Sequence, residues 1–280
     1  MAHFKLNSNV FFNLFFILFA FVKDIYSQRY LIVSMARRQI QTQVIGSFLG
    51  IFWTFINPLV LIFIFWFVFS VGFKTKPLGD IPFAAWLTAG IAIWIAFNEI
   101  VLGSSNIIIE NQALIKKTRI QAYVLPISKI IASLIPHSVF IVILITMIFL
   151  YKLSLSFYFI QFLYYFFSMC IMALGLGWLF AALNVFIRDT VPMVNVSMQL
   201  LFWFTPIMWD INIMPQEYHK FIKLNPIFYI VQGYRDSFFY AIPFWHNFGL
   251  TIYYWTIALI IFTIGGVIFK KTRPHFADIL

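Results

Sequence analysis

Glu99 is a lone carboxylate between two long uncharged stretches, 81–98 and 100–109. An acid in apolar surroundings is a candidate for proton coupling, or for a structural or gating ion pair with a Lys or Arg. A second set, Asp210, Glu217, Arg235 and Asp236, gathers in one connection and is the only acid/base group there that a membrane glycosyltransferase or polymerase could use. A third stretch, Glu110-Asn111 through Leu114-Ile115-Lys116-Lys117 to Arg119, is a short basic helix closed by Pro126. Such a helix suits either a groove on a partner protein or anionic lipid headgroups. No GxxxxGK[ST] or HExxH pattern occurs. His3, His137, His219, His246 and His275 are scattered, and Cys170 is the single cysteine. The sequence therefore offers no nucleotide site, no metal-ligand spacing and no recognisable catalytic constellation.

The elements that carry these residues must be membrane helices. Of 280 residues, 62% are hydrophobic and 10% charged, whereas a soluble domain carries roughly 25% charged residues. Windows free of Asp, Glu, Lys and Arg place six spans near 48–72, 83–106, 130–150, 158–185, 190–208 and 247–269. The expected fold is an all-α integral membrane protein forming one domain over 1–280. An interfacial and amphipathic region covers 10–42, six spans occupy 48–269, and a cytoplasmic tail covers 270–280. The run Val10–Val22 is too short for a span and reads as interfacial, and Tyr26–Thr42, with Arg29, Arg37 and Arg38, reads as an amphipathic surface helix. A signal peptide is the rival reading, but no small-residue cleavage site follows Val22, which leads into Lys23, Asp24 and Ile25.

The net charge of +10 reads as positive-inside bias rather than a nucleic-acid surface. With both termini inside, 13 of the 19 basic residues fall in the cytoplasm. Glu99 then lies about 24 Å along its span, in the cytoplasmic half.

The outer connection 210–246 is apolar in two pieces broken by Pro215, Pro226 and Pro243. Such pieces cannot cross a bilayer. They fit re-entrant gate helices buried by protein or lining a cavity, or a pair of helices lying on the membrane. The chain is rich in aromatics, with 37 Phe, 13 Tyr and 9 Trp. Trp86, Trp209 and Trp245 fall at expected outer interfaces. Trp53, Trp66, Trp94, Phe97, Trp178 and Trp203 lie deeper, where their faces could line a sugar path, or could pack helices and face lipid.

Ordered motifs then carry a resemblance across nearly the whole chain. They are Ala36-Arg37-Arg38 followed by Gly46, Leu49 and Trp53; Asn57-Pro58-Leu59; Asn111 with Leu114-Ile115-Lys116-Lys117; and Leu125-Pro126-Ile127-Ser128. Phe186-Ile187-Arg188-Asp189, Thr205-Pro206-Ile207, Asn225-Pro226 with Arg235, and Arg273-Pro274-His275-Phe276-Ala277-Asp278 follow in order. The sequence resembles the type-2 ABC exporter permeases that move O-antigen, capsular and teichoic acid polysaccharides. It departs from that pattern at Thr205, where Ser is commoner, and at Ile120-Gln121, where a Phe-Pro pair is commoner.

The resemblance implies a homodimeric permease beneath which two copies of a separate ABC ATPase sit, in a bacterial inner membrane. The ATPase, not this chain, would bind ATP and Mg, so the chain itself is expected to be no enzyme and to hold no cofactor. It implies coupling to the ATPase through Glu110, Asn111, Leu114, Lys116, Lys117, Arg119, Arg188 and Asp189. An entrance helix would carry Arg29, Arg37 and Arg38, and an outer gate would include Pro206, Asn225, Pro226, Tyr229 and Arg235. The cargo would be a lipid-linked polysaccharide, with membrane lipids as the remaining partners and no nucleic acid. An exporter of lipid or drug, a membrane glycosyltransferase or polymerase, and a secondary transporter centred on Glu99 are the alternatives.

Overall fold

The computed structural model describes residues 23–44, 48–74, 79–117 and 121–280. The Val10–Val22 run, Gly46 and Arg119 lie outside the described residues. The elements are helical: α1 (Arg29–Val44), α2 (Trp53–Trp66, continued by a π turn to Gly72), α3 (Phe83–Glu110), α4 (Gln112–Lys117), α5 (Val124–Leu150) and α6 (Phe162–Phe186). They continue as α7 (Thr190–Phe204), α8 (Gln216–Lys223), α9 (Pro226–Arg235), α10 (Phe248–Thr272) and α11 (Phe276–Ile279).

Among the described residues, five helical stretches are long and apolar enough to cross a membrane: Trp53–Gly72, Phe83–Glu110, Val124–Leu150, Phe157–Phe186 and Phe248–Ile279. The expected span at 190–208 is α7, only 15 residues, or about 22 Å against roughly 30 Å of hydrocarbon. It stops because Thr205 precedes Pro206 and takes extended backbone, φ −91° and ψ 133°. The third span begins at Val124 rather than 130, because Lys129 is folded into the helix instead of ending it.

Helix α3 is the axis of the molecule. It is 78% buried along its most apolar stretch, against 11% for the α2 span and 22% for the α10 span. It packs on α5, α6, α7 and α9, while α10 lies along α6. Glycines permit the closest contacts, as small residues do between membrane helices. A Cβ on Gly265 of α10 would sit 2.0 Å from the Gly175 carbonyl oxygen of α6. Most hydroxyls within the helices bond back to their own backbone, as Thr88 does to Ala84, Thr146 to Val142 and Thr263 to Leu259, which pairs those donors in an apolar setting.

Helix α1 buries Ile32 and Ala36, one turn apart, against α5 and the adjoining core. Gln39 donates to Ser128 Oγ at 2.7 Å, and Arg29, Arg37 and Arg38 stay exposed. The two apolar pieces of 210–246 separate: α8 has no buried residue, whereas α9 is buried along most of its length.

Candidate functional site

The segment after α7 is held from two directions by α9. At the start of α9, Asn225 caps the helix by accepting from Ile227 N–H, and Pro226 occupies the first turn, where its missing N–H costs nothing. The same Asn225 donates through Nδ2 to Thr205 Oγ1 at 2.7 Å. At the other end, Arg235 donates from Nη1 to the Pro206 carbonyl and from Nη2 to the Ile207 carbonyl, both at 2.7 Å. The guanidinium is 1% exposed and lies 3.3 Å from the Trp86 ring centroid. It fits because α3 carries Gly90 opposite: a Cβ there would meet Nη2 at 2.8 Å.

The sequence motifs Thr205-Pro206-Ile207, Asn225-Pro226 and Arg235 thus form one clamp. Trp86, expected near the outer interface, is 2% exposed and is covered by this chain; its indole face is a favourable surface for a desolvated guanidinium. Burial pushes the Arg235 pKa down to about 9 and that of Asp236 up to about 6. Asp236 is held by Gln232 Nε2 at 2.9 Å.

Tyr229, one turn into α9, ties the clamp to the neighbouring helices. Its hydroxyl lies 3.0 Å from Tyr164 OH and 3.1 Å from Thr251 Oγ1, and its ring stacks on Tyr254 at 4.8 Å. Tyr234 reaches His137 Nε2 at 3.0 Å. A cleft of about 400 Å³ opens beside the clamp, lined by Trp86, Tyr229, Gln232, Arg235, Asp236 and Asp210 among others.

A second concavity, about 350 Å³, lies between α2, α3 and α7. Trp94 and Phe202 meet there at 5.6 Å, with Trp203 edge-on to Phe202. Three amides join them: Asn98 from α3, and Asn195 and Gln199 from α7. Asn195, Gln199 and Trp203 are spaced four apart and all exposed, so they share one face. The sequence reading missed these amides, since a window that counts charges does not register Asn or Gln. Of the other expected path aromatics, Trp53 and Trp66 stand on the exposed side of α2. Phe97 and Trp178 are buried within the chain, and Trp178 Nε1 donates to the Tyr123 carbonyl at 3.3 Å.

Glu99 accepts from Lys129 Nζ at 2.8 Å, with side-chain exposures of 26% and 9%. The lysine lies in a notch at Gly103, where a Cβ would stand 2.3 Å from Lys129 Cε. Lys129 had been expected in a loop.

At the far end of α3, Glu110 accepts from Asn106 Nδ2 at 2.9 Å, and Asn106 Oδ1 accepts from Asn184 of α6 at 3.2 Å. Asn111 closes α3 by donating to the Ile107 carbonyl at 2.8 Å. The amide chain links Glu110 to the helix that ends one turn later at the exposed Arg188-Asp189 corner. Leu114 is half-buried on α4, and Lys116 and Lys117 are exposed. Among the described residues, no three His, Cys, Asp or Glu side chains converge as metal ligands.

Residues 30–239 match the family described as ABC-2 type transporter. The chain is 26% identical over 252 residues to an O-antigen export system permease protein RfbA of Klebsiella pneumoniae, covering 89% of this chain and 95% of the relative. It is 24% identical to the RfbA permease of Myxococcus xanthus, covering 92% and 98%. It is 22% identical to the polysialic acid transport protein KpsM of Escherichia coli, covering 89% and 95%. The match spans the clamp, the amide and aromatic groove and the Glu99–Lys129 pair alike, and on it the chain belongs to the ABC-2 type transporter family.

Proposed function

We propose that the chain is the transmembrane permease subunit of an ATP-driven exporter that carries a lipid-linked polysaccharide across the bacterial cytoplasmic membrane. The relatives named for O-antigen export and polysialic acid transport support that cargo. The observation that carries the reading is the groove of Trp94, Phe202 and Trp203 with Asn98, Asn195 and Gln199. Exposed amides on an apolar helix are costly against lipid and favourable against water or a polyhydroxylated chain. Aromatic faces give sugar rings an apolar surface to slide along without tight binding.

On this reading two copies close the groove into a passage, with the exposed faces of α2 and α7 meeting across it. Helix α7 is the sixth crossing element. Both termini face the cytoplasm, where α1 borders the substrate entrance with Arg29, Arg37 and Arg38. Helix α4, with Glu110, Asn111 and the Arg188-Asp189 corner, docks on an ABC ATPase present in two copies, which binds ATP and Mg. Outside, α8 lies at the surface and α9 dips inward as a gate, latched by Arg235 on the Pro206 and Ile207 carbonyls.

Purification of the tagged permease in mild detergent tests the partner assignment. A stoichiometric ATPase is expected to co-purify, with hydrolysis that falls severalfold when Lys116 and Lys117 are both replaced by Ala. Recovery of the permease without any ATPase contradicts the reading.

A further inference from the structure

Helix α4 has six residues, none buried. A helix that short does not hold itself in water. What steadies it comes from the C-terminal segment. Ile115 of α4 and Leu280 both pack on a buried cluster that includes Phe276 and Phe269. Phe276, the first residue of α11, is 1% exposed. Its ring stands edge-on to Phe269 of α10 at 5.4 Å and tilted to Phe186 of α6 at 6.4 Å. The turn Arg273-Pro274-His275 folds the chain back so that α11 touches both α4 and α6.

Tyr123, at the start of α5, is held to the same part of the molecule. Tyr123 donates its hydroxyl to Asp24 Oδ2 at 2.5 Å, accepts at its carbonyl from Trp178 Nε1, and has the Arg273 guanidinium carbon 6.0 Å from its ring centroid.

We propose that the C-terminal tail, 273–280, is a brace that fixes α4 to α6 and α10, with Phe276 as its positioning residue. A load applied to α4 then reaches the α6/α10 pair directly, as well as α3 and α5 through the chain. The proposal rests on the reading of α4 as the ATPase-docking helix. It assigns the tail a coupling role distinct from docking itself: the side chain that matters is buried and faces this chain's own helices, not the partner.

The test uses the full permease with its ATPase, comparing Phe276→Ala, Phe276→Leu and a chain ending at Thr272. With Phe276→Ala and with the truncation, the ATPase is expected to co-purify and its basal hydrolysis to stay within about twofold, while export falls about tenfold or more. Phe276→Leu, which refills the pocket with apolar volume, is expected to recover at least half of the export. Hydrogen exchange on the detergent-purified permease gives a second readout. Amides of 112–117 are expected to exchange at least about tenfold faster in Phe276→Ala, with the middle of α5 and α6 unchanged. Unchanged export together with unchanged α4 exchange overturns the brace. So does loss of ATPase co-purification in Phe276→Ala, since the tail would then be part of the docking surface. Failure of the unmodified permease to bind any ATPase sinks the docking reading instead, and the exchange experiment still decides whether the tail holds α4.

Discussion

The guanidinium of Arg235 lies over the Trp86 ring, 3.3 Å from its centroid, while its two terminal nitrogens hold the carbonyls of Pro206 and Ile207. One side chain of α9 thereby fixes both the start of the α3 axis and the end of α7. Its fork geometry is the reason lysine cannot substitute: an ammonium is a point charge that cannot span two carbonyls while stacking on an indole.

Arg235→Lys is therefore expected to destabilise the permease by about 2–4 kcal/mol, in the range of losing charge-assisted bonds in a buried site. Thermal unfolding in detergent reads the loss. On the gate reading, reconstituted vesicles should also leak small solutes more than the parent does. A variant as stable and as tight as the parent removes Arg235 from the latch.

Glu99 and Lys129 test the rival idea of proton coupling. Lys129→Met leaves a partly buried carboxylate alone and is expected to cost about 1–3 kcal/mol, less than for a fully buried pair because Glu99 keeps some solvent access. Glu99→Gln with Lys129→Met together should recover most of that stability. Export by Glu99→Gln alone should stay within about threefold of the parent at any pH between 6 and 8. Abolished export in Glu99→Gln, with the fold intact, makes the carboxylate a proton carrier.

Asp236 gives a pH signature. Burial raises its pKa from the ordinary 3.8 to about 6, so the folded state prefers the protonated acid. Its stabilising contribution is complete below the unfolded value and is lost as pH rises through about 6. Asp236→Asn, neutral throughout, is expected to be more stable than the parent at pH 7.5 by up to about 3 kcal/mol, and so to unfold at a higher temperature. Near pH 4 the two should unfold alike. A difference of the same size at both pH values refutes the assignment.

Gly265 and Gly249 form a matched pair on α10. A methyl at Gly265 would strike the Gly175 carbonyl oxygen at 2.0 Å, whereas one at Gly249 meets nothing within 4 Å. Gly265→Ala is expected to cost about 3 kcal/mol or more by forcing two helix backbones apart. Gly249→Ala should be neutral or slightly stabilising. Equal effects on unfolding temperature argue against the close α6/α10 contact.

Much of this architecture was legible in the charge gaps. The windows that exclude Asp, Glu, Lys and Arg located each of the five long helices among the described residues, and the Pro-broken apolar pieces marked the segment that carries the clamp. The same rule misplaced Lys129 as a loop residue, because it treats every lysine as a boundary. A glycine one helix away, Gly103, lets the amine fold inward onto Glu99, and no pattern within one helix reveals that. Trp86 reads as an interface anchor at a helix start, and its burial follows from a cation on another helix, Arg235. The amides Asn195 and Gln199 were visible as residues, yet only the shared face with Trp203 gives them a role. Arg235 was expected in the gate, but its burial depends on Gly90, 145 positions earlier in the chain.

Export itself is the most direct measurement. Deleting the gene in a strain with no redundant exporter, and restoring it in trans, is expected to remove polysaccharide from the cell surface while lipid-linked polymer accumulates inside, with recovery on complementation. An Asn195→Leu, Gln199→Leu double variant that still inserts and binds the ATPase should restore less than a fifth of the surface polymer. Normal surface polysaccharide in the deletion strain, with no internal lipid-linked polymer, contradicts the account.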